Sequence, residues 1–323
     1  MPFQDIYGHD KQIRVLRSAM EKKRVAHAYL FYGPGGTGKR TLAEIFASAI
    51  NCEASDDDAC GSCLSCRKAA RGTHPDIVTV KPQGTFIRIA EIRALQDKMS
   101  FRPLEGKQRV FILDEAEKMN PAAANALLKT LEEPSPLNIL ILITTRPRHL
   151  PVTILSRCQR LRFGPLPISV VSQYLHDNIG LDPLTARLLA ASSGGSPGLA
   201  MEMNRKTYLV TRDEALANLF SLYQKGLIGL LTMDFGKDRE DASQRLDILK
   251  ICFRDALTLK ETGSDGLVVY RDRMDIIEII AGASSVSTLL KSIQAVEAAS
   301  RALERNANKQ LTLEAMMFKL APK

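Results

Sequence analysis

Residues 33–39 read Gly33-Pro34-Gly35-Gly36-Thr37-Gly38-Lys39, and this heptad constrains the chain more than any other stretch. Glycines so spaced let successive backbone N–H groups turn toward one anion, and the lysine reaches the outer phosphates. Such a loop needs a strand before it and a helix after it. The run Ala28-Tyr29-Leu30-Phe31-Tyr32 suits a buried strand, and Thr41–Ile50 is apolar at helical spacing. These flanks favour a phosphate-binding loop over a glycine-rich turn with a lysine beside it by chance.

The next residue breaks the pattern. Arg40 stands where the loop needs a serine or threonine hydroxyl to hold Mg²⁺. Guanidinium is a permanent cation with no acceptor. Thr41 is one residue late, so on a helix its side chain points about 100° away. The residues therefore predict the shape of an ATPase whose chemistry is lost or weakened.

The second half of a nucleotide site follows about 75 residues after Lys39, where Val110-Phe111-Ile112-Leu113 is an apolar run ending in Asp114 and Glu115. In such sites the aspartate positions magnesium and the glutamate polarises the attacking water. Without the loop hydroxyl two readings stay open. The acids are a relic, or the site binds ATP or ADP and hydrolyses ATP poorly.

Further apolar runs at Ile77–Val80 and Ile139–Ile143 predict buried strands, with Gln159–Phe163 as the last. Helical patterns at Ile89–Met99 and Ala122–Leu131 lie between them. Strands alternating with helices predict a doubly wound α/β fold with a parallel sheet. Pro165 and Pro167 mark a boundary. Residues 168–203 then read as short helices, broken by Gly180 and by Gly194-Gly195-Ser196-Pro197-Gly198. From about residue 208 to 320 the pattern is nearly all helical, with interruptions near Gly226–Gly229, Asp234–Gly236 and Gly263–Gly266. We expect three domains: 1–164 with the phosphate loop, 165–206 as a small helical lid, and 207–323 as an all-helical C-terminal domain.

Four of the six cysteines, Cys52, Cys60, Cys63 and Cys66, fall in a C-x7-C-x2-C-x2-C pattern. The start of the chain lacks the basic and apolar regions of a secretory signal, and no run of about 18 apolar residues exists to span a membrane. A cytoplasmic setting is therefore expected. There clustered thiols read as metal ligands, and four of them suit a closed structural Zn²⁺ site. A reduced cluster or two disulfides is the alternative, and His74 is a conceivable further ligand. Cys158 and Cys252 stand alone and read as semi-buried thiols. The net charge of +8 is compatible with a polyanionic partner, but it is a weak signal taken alone.

Several segments resemble bacterial clamp-loader subunits of the AAA+ ATPases: Asn125-Ala-Leu-Leu-Lys-Thr-Leu-Glu-Glu-Pro134, Thr144-Thr145-Arg146-Pro147, and Pro151-Val-Thr-Ile-Leu-Ser156-Arg157-Cys158. The cysteine segment, Gly72-Thr73-His74-Pro75-Asp76 and the C-terminal Asn306-Ala-Asn308 with Leu313-Glu314-Ala315 are similar too, so the likeness spans nearly the whole chain. The resemblance implies an AAA+ P-loop domain with a zinc-binding insert, a lid, and a helical collar. It implies a hetero-pentameric ring with gamma/tau and delta subunits, acting on a sliding clamp and on primer-template DNA without sequence preference. It gives Arg157 the role of an arginine finger reaching a neighbouring subunit's ATP, and Thr144 or Thr145 the sensor-1 position. The family's sensor-2 arginine belongs in Gly194–Ala200, which holds none. With Arg40 this points away from the gamma/tau motor branch, although a DNA-stimulated ATPase of that type remains the alternative. Arg88, Arg93 and Lys98 are candidate phosphate contacts for DNA, with a solvated basic face equally open. A free-standing zinc-dependent DNA-binding protein is a third reading, with no base-reading motif behind it.

Overall fold

The apolar runs pair side by side in the computed structural model, which describes residues 2–205, 208–226 and 234–320. Five strands form one sheet: β1 (Ala28–Tyr32), β2 (Ile77–Val80), β3 (Arg109–Leu113), β4 (Asn138–Thr144) and β5 (Gln159–Arg162). Their order is β2-β3-β4-β1-β5, and every pairing is parallel. Helix α1 (Asp10–Glu21) precedes the sheet. Parallel strands need crossovers, and helices supply them: α2 (Lys39–Ile50), α3 (Leu64–Ala70), α4 (Ile89–Met99), α5 (Pro121–Glu132) and α6 (Val152–Leu155). The doubly wound α/β fold read from the sequence is the one observed.

Burial on both faces explains why the strands read as continuous apolar runs rather than alternating ones. One face carries Tyr29, Phe31, Val110, Ile112, Ile139 and Ile141, packed with Leu42 and Phe46 of α2. The other carries Leu30, Phe111, Leu113, Leu140 and Leu142, packed with Ile92 and Leu95 of α4 and Leu127 of α5. Residues two apart share a face, as the period of a strand requires.

Strand β3 starts one residue earlier than the apolar run, at Arg109, which is 5% exposed. A buried guanidinium needs a partner, and Asp76, just ahead of β2, lies 3.0 Å from it. The same carboxylate accepts the N–H groups of Leu104, Glu105 and Gly106. This one group thus ties the returning loop to the edge of the sheet. Its acidity answers to two opposing effects: burial pushes it up, but the backbone N–H groups and Arg109 outweigh this and hold it at about 2.

After the sheet come α7 (Ile168–Ile179), α8 (Pro183–Ser192) and α9 (Pro197–Arg205). Gly180 ends α7 with φ +77°, a left-handed cap that favours glycine. The chain divides into two compact units, Met1–Leu199 and Ala200–Lys323.

The second unit is helical: α10 (Tyr208–Lys225), α11 (Arg239–Thr262), α12 (Met274–Ala283), α13 (Val286–Glu304) and α14 (Lys309–Leu320). Gly263, at φ +63°, ends α11. Of the interruption expected at Gly226–Gly229, residues 227–229 lie outside the described residues, as does the domain border at 206/207. Leu249 and Phe253 of α11, Leu289 and Val296 of α13, and Ile277 and Ile280 of α12 are fully buried, whereas Ile279 is exposed. So Ile277 and Ile280 of α12 belong to this unit's own core. Cys252 is also fully buried and Cys158 is buried, not semi-buried as their isolation in the sequence suggested. Cys158 packs into the apolar cluster on one face of the sheet although Arg157 and Gln159 flank it, and Cys252 lies among the buried residues of α11. Among the described residues no single helix is long and apolar enough to cross a membrane.

Candidate nucleotide site and cysteine cluster

Strand register assembles the nucleotide site. Tyr32 pairs with Thr144, and Leu113 with Leu142, so the segments after β1, β3 and β4 leave the same edge of the sheet. That is the carboxyl edge, where open α/β sheets bind ligands. The loop 33–39, Asp114, Glu115, Thr144 and Thr145 are thereby brought together.

The loop begins with Gly33, whose N–H donates to the Thr144 carbonyl at 3.2 Å. A Cβ at Gly33 would lie 2.0 Å from the Phe163 carbonyl oxygen, so only glycine fits. Gly36 and Gly38 have φ of +68° and +88°, which turn the chain into the start of α2. The N–H groups of Gly36, Thr37 and Gly38 have no hydrogen-bond partner among the described residues. Lys39 is 5% exposed. Its Nζ donates to the Gly33 carbonyl at 2.8 Å and also to that of Pro34. Burial lowers the Lys39 pKa, while Glu117 and Asp114 push it back up.

Arg40 follows on the first turn of α2. Its Nε donates to Glu44 Oε1 at 2.8 Å, and its Nη1 lies 3.8 Å from Asp114 Oδ2. The aspartate that would face magnesium therefore faces a guanidinium. Glu115 is exposed and has φ +52°, a left-handed backbone rare for a side chain of its size. Its carboxylate is 3.0 Å from Lys118 Nζ. Position 40 offers no oxygen to a divalent cation, so Mg²⁺ does not fit this donor set.

Of the two candidate sensor threonines, Thr144 is buried and its hydroxyl accepts the Arg146 N–H at 3.0 Å. Thr145 is exposed and donates its hydroxyl and N–H to Glu117 Oε1 at 2.6 and 3.1 Å. Glu117 was not singled out from the sequence, although the pattern Asp114-Glu115-Ala116-Glu117 carries a third acid that flags it. Burial pushes its pKa up, but hydrogen bonds from Thr145 and Thr144 prevail and lower it.

Two more contacts have no sequence signal. His9 is buried, and its Nε2 sits 2.6 Å from the Thr37 carbonyl. Burial holds its pKa down, so the neutral ring donates there. The Ser196 hydroxyl donates to the Gly35 carbonyl at 3.0 Å, and the Gly198 N–H to that of Gly36 at 2.9 Å. The segment expected to carry a sensor-2 arginine thus meets the loop through backbone and a serine.

Arg157 lies elsewhere. Tyr29 pairs with Gln159 and Tyr32 with Arg162, so Arg157 enters β5 at the edge of the sheet opposite to Gly33. It does not serve this chain's own loop. Its Nη2 donates to Glu132 Oε1 at 2.9 Å and its Nη1 to the Thr153 carbonyl at 3.0 Å, with the side chain 35% exposed. Arg88, Arg93 and Lys98 are all exposed along α4.

The cysteines meet at the far end of α2. The sulfurs of Cys52, Cys60, Cys63 and Cys66 all lie within 4.8 Å of one another. A tetrahedral ion with ligand bonds of about 2.3 Å needs sulfurs about 3.8 Å apart, and Cys60 and Cys66 are at 4.0 Å. The N–H groups of Cys60, Cys63 and Cys66 point at the sulfurs of Cys52, Cys60 and Cys63 respectively. Hydrogen bonds from Ser62 and Cys63 draw Cys60 down to about 6, whereas burial drives Cys66 up to about 12. A cation among the four sulfurs would offset that burial cost. These donors fit a metal ion. His74 bonds the Ser65 hydroxyl at 3.1 Å instead and is outside the cluster.

Comparison with known proteins agrees with this geometry. Residues 8–167 match the profile of a family described as DNA polymerase III, delta subunit, and residues 208–321 match that of its C-terminal region. The delta' subunit of DNA polymerase III from Bacillus subtilis (strain 168) is 33% identical over 95% of this chain and 94% of its own length. The delta' subunit from Pseudomonas aeruginosa is 42% identical over 55% of this chain and 56% of its own. The tau subunit from B. subtilis is 43% identical over 50% of this chain, but only 29% of tau is covered.

Proposed function

The chain belongs to the delta' family of DNA polymerase III clamp-loader subunits, of AAA+ fold, and from that premise we propose that it is a member that does not hydrolyse ATP. It completes a hetero-pentameric ring with gamma/tau and delta subunits. The ring places a sliding clamp on primer-template DNA, held by phosphate contacts without sequence preference. The setting is the bacterial cytoplasm. Residues 165–206 act as the lid, and 207–323 as the collar that joins the ring.

One observation carries the non-hydrolysing reading: Arg40 Nη1 lies 3.8 Å from Asp114, where a motor needs a hydroxyl and a magnesium ion. The ion pair of Glu115 with Lys118 and the glycine at position 198 point the same way. Arg157, at the sheet edge away from this chain's own loop, is donated to the ATP of a neighbouring subunit. A guanidinium supplied in trans stabilises charge in phosphoryl transfer and is worth about 10³–10⁵ in rate. The cysteine cluster holds Zn²⁺ as a structural element and takes no part in that chemistry.

The test is the assembled complex carrying Arg157→Ala. ATP turnover by the complex should fall while ring assembly, read by size-exclusion chromatography, stays intact. Normal turnover in the mutant ring would sink the arginine-finger role. Lys39-dependent turnover by the isolated chain would show instead a motor of gamma/tau type.

A further inference from the structure

We propose that the loop 33–39 binds a nucleotide polyphosphate without a divalent cation, and that Arg40 supplies the positive charge a metal ion would bring. This rests on the non-hydrolysing reading and goes on to the form of ligand that the site accepts.

The phosphate cradle is intact. The N–H groups of Gly36, Thr37 and Gly38 are unpartnered among the described residues, and Lys39 is held at the loop by the Gly33 and Pro34 carbonyls. Ser196 and Gly198 grip the carbonyls of Gly35 and Gly36. That contact fixes the loop from its acceptor side and leaves its donor side to an anion. The metal half of the site is what has changed. A divalent ion bridging two phosphates needs an oxygen at position 40 and an uncommitted Asp114. Here a guanidinium stands beside Asp114 and is anchored by Glu44. A divalent cation placed there would meet a fixed like charge.

Guanidinium is also a good phosphate ligand in its own right. It has five N–H donors in a planar fork, and only its Nε hydrogen-bonds another side chain here. Its remaining donors suit phosphate oxygens, with Lys39 contributing from inside the loop. Metal-free ATP or ADP carries more negative charge than its magnesium complex, so this site should favour the free anion.

The experiment uses the full chain and the fluorescent probes methylanthraniloyl-ATP and methylanthraniloyl-ADP, titrated in excess EDTA and in excess MgCl₂. The wild type should bind in EDTA at least as tightly as in magnesium. Inorganic tripolyphosphate should compete, which separates recognition of the phosphates from recognition of the nucleoside. Arg40→Thr restores the hydroxyl and should reverse the preference, weakening binding in EDTA about ten- to a hundredfold, the worth of one charge-assisted contact. Lys39→Met should weaken binding in both buffers, with circular dichroism confirming that it folds. Wild-type binding that requires magnesium overturns the proposal. So does absence of binding to either probe at millimolar concentration, and so does an Arg40→Thr protein that still prefers EDTA. Phosphate release, measured in the magnesium samples, reports on the non-hydrolysing reading separately. A chain that hydrolyses ATP loses that reading whatever the titration in EDTA shows.

Discussion

The N–H of Gly198 donates to the carbonyl of Gly36 at 2.9 Å, so the start of α9 and the phosphate loop meet backbone to backbone. A Cβ on Gly198 would lie 2.8 Å from the Gly36 Cα, closer than real Cβ contacts come. The resemblance to the motor subunits places an arginine in the segment Gly194–Ala200, which holds none in this chain. Here the approach itself demands glycine.

It follows that Gly198→Arg does not restore a sensor and instead forces the two segments apart. The expected cost is about 1–3 kcal/mol, the usual penalty for overpacking. Gly198→Ala should show most of it, because the clash is already made by Cβ. Urea unfolding midpoints of the three proteins measure this. Wild-type stability in Gly198→Ala would show that the contact is loose. ATP turnover appearing in Gly198→Arg would show that residue 198, rather than Arg40, silences the site.

Much of this was legible in the sequence. The strand at Ala28–Tyr32, the helix at Ile89–Met99 and the phosphate loop between strand and helix all fall where their local patterns place them. Such patterns are strong because a buried parallel strand is apolar throughout and a phosphate loop is built from adjacent residues. What escaped notice are groups joined only by folding. His9 meets Thr37 from 28 residues away, and Ser196 meets Gly35 from 161. Arg109 begins a strand because Asp76 is there to neutralise it, and no window around Arg109 contains that aspartate. The pairing of Arg157 with Glu132 is hidden for the same reason.

Asp76 should make acid unfolding steep. Its folded pKa of about 2 lies below the 3.8 of the unfolded chain. A depressed acid adds stability above its unfolded pKa and loses it as pH falls through the folded one. The shift corresponds to about 2 kcal/mol, present above about pH 4 and gone near pH 2. Asp76→Asn leaves Arg109 buried without a counter-charge, and should cost about 3 kcal/mol at neutral pH. Urea midpoints of both proteins between pH 7 and pH 2.5 should converge as the medium becomes acid. Curves that stay parallel would deny Asp76 this role.

Asp255 should act in the opposite sense. It is fully buried in α11 and accepts the N–H groups of Val269 and Tyr270. Burial raises its pKa above 3.8, despite those hydrogen bonds and nearby Arg254. An acid raised in the folded state opposes folding when ionised, so its contribution improves as pH falls toward the unfolded value. Asp255→Asn keeps an acceptor oxygen and removes the charge. We expect it to match or exceed wild-type stability at pH 8 and to lose that advantage near pH 4. A loss of stability at pH 8 would mean that the charge itself holds the Val269–Tyr270 turn.

The cysteine cluster makes the last prediction. Four sulfurs within 4.8 Å of one another, with Cys63 capping α3 and N–H groups aimed at three of them, form a site that is costly to leave without a cation. Atomic emission should find about one zinc per chain. Stripping it with a strong chelator under reducing conditions should lower the melting temperature, because binding to the folded state alone stabilises it. Readdition of zinc should restore it. Cys66→Ser should lower both the zinc content and the melting temperature, and chelator should then change little. Nucleotide binding at the other end of α2 should be unaffected by a mild, reversible strip, since no cysteine touches the loop. A metal-free protein of unchanged melting temperature would show that the cluster stands on packing alone, in the way of the buried thiols Cys158 and Cys252.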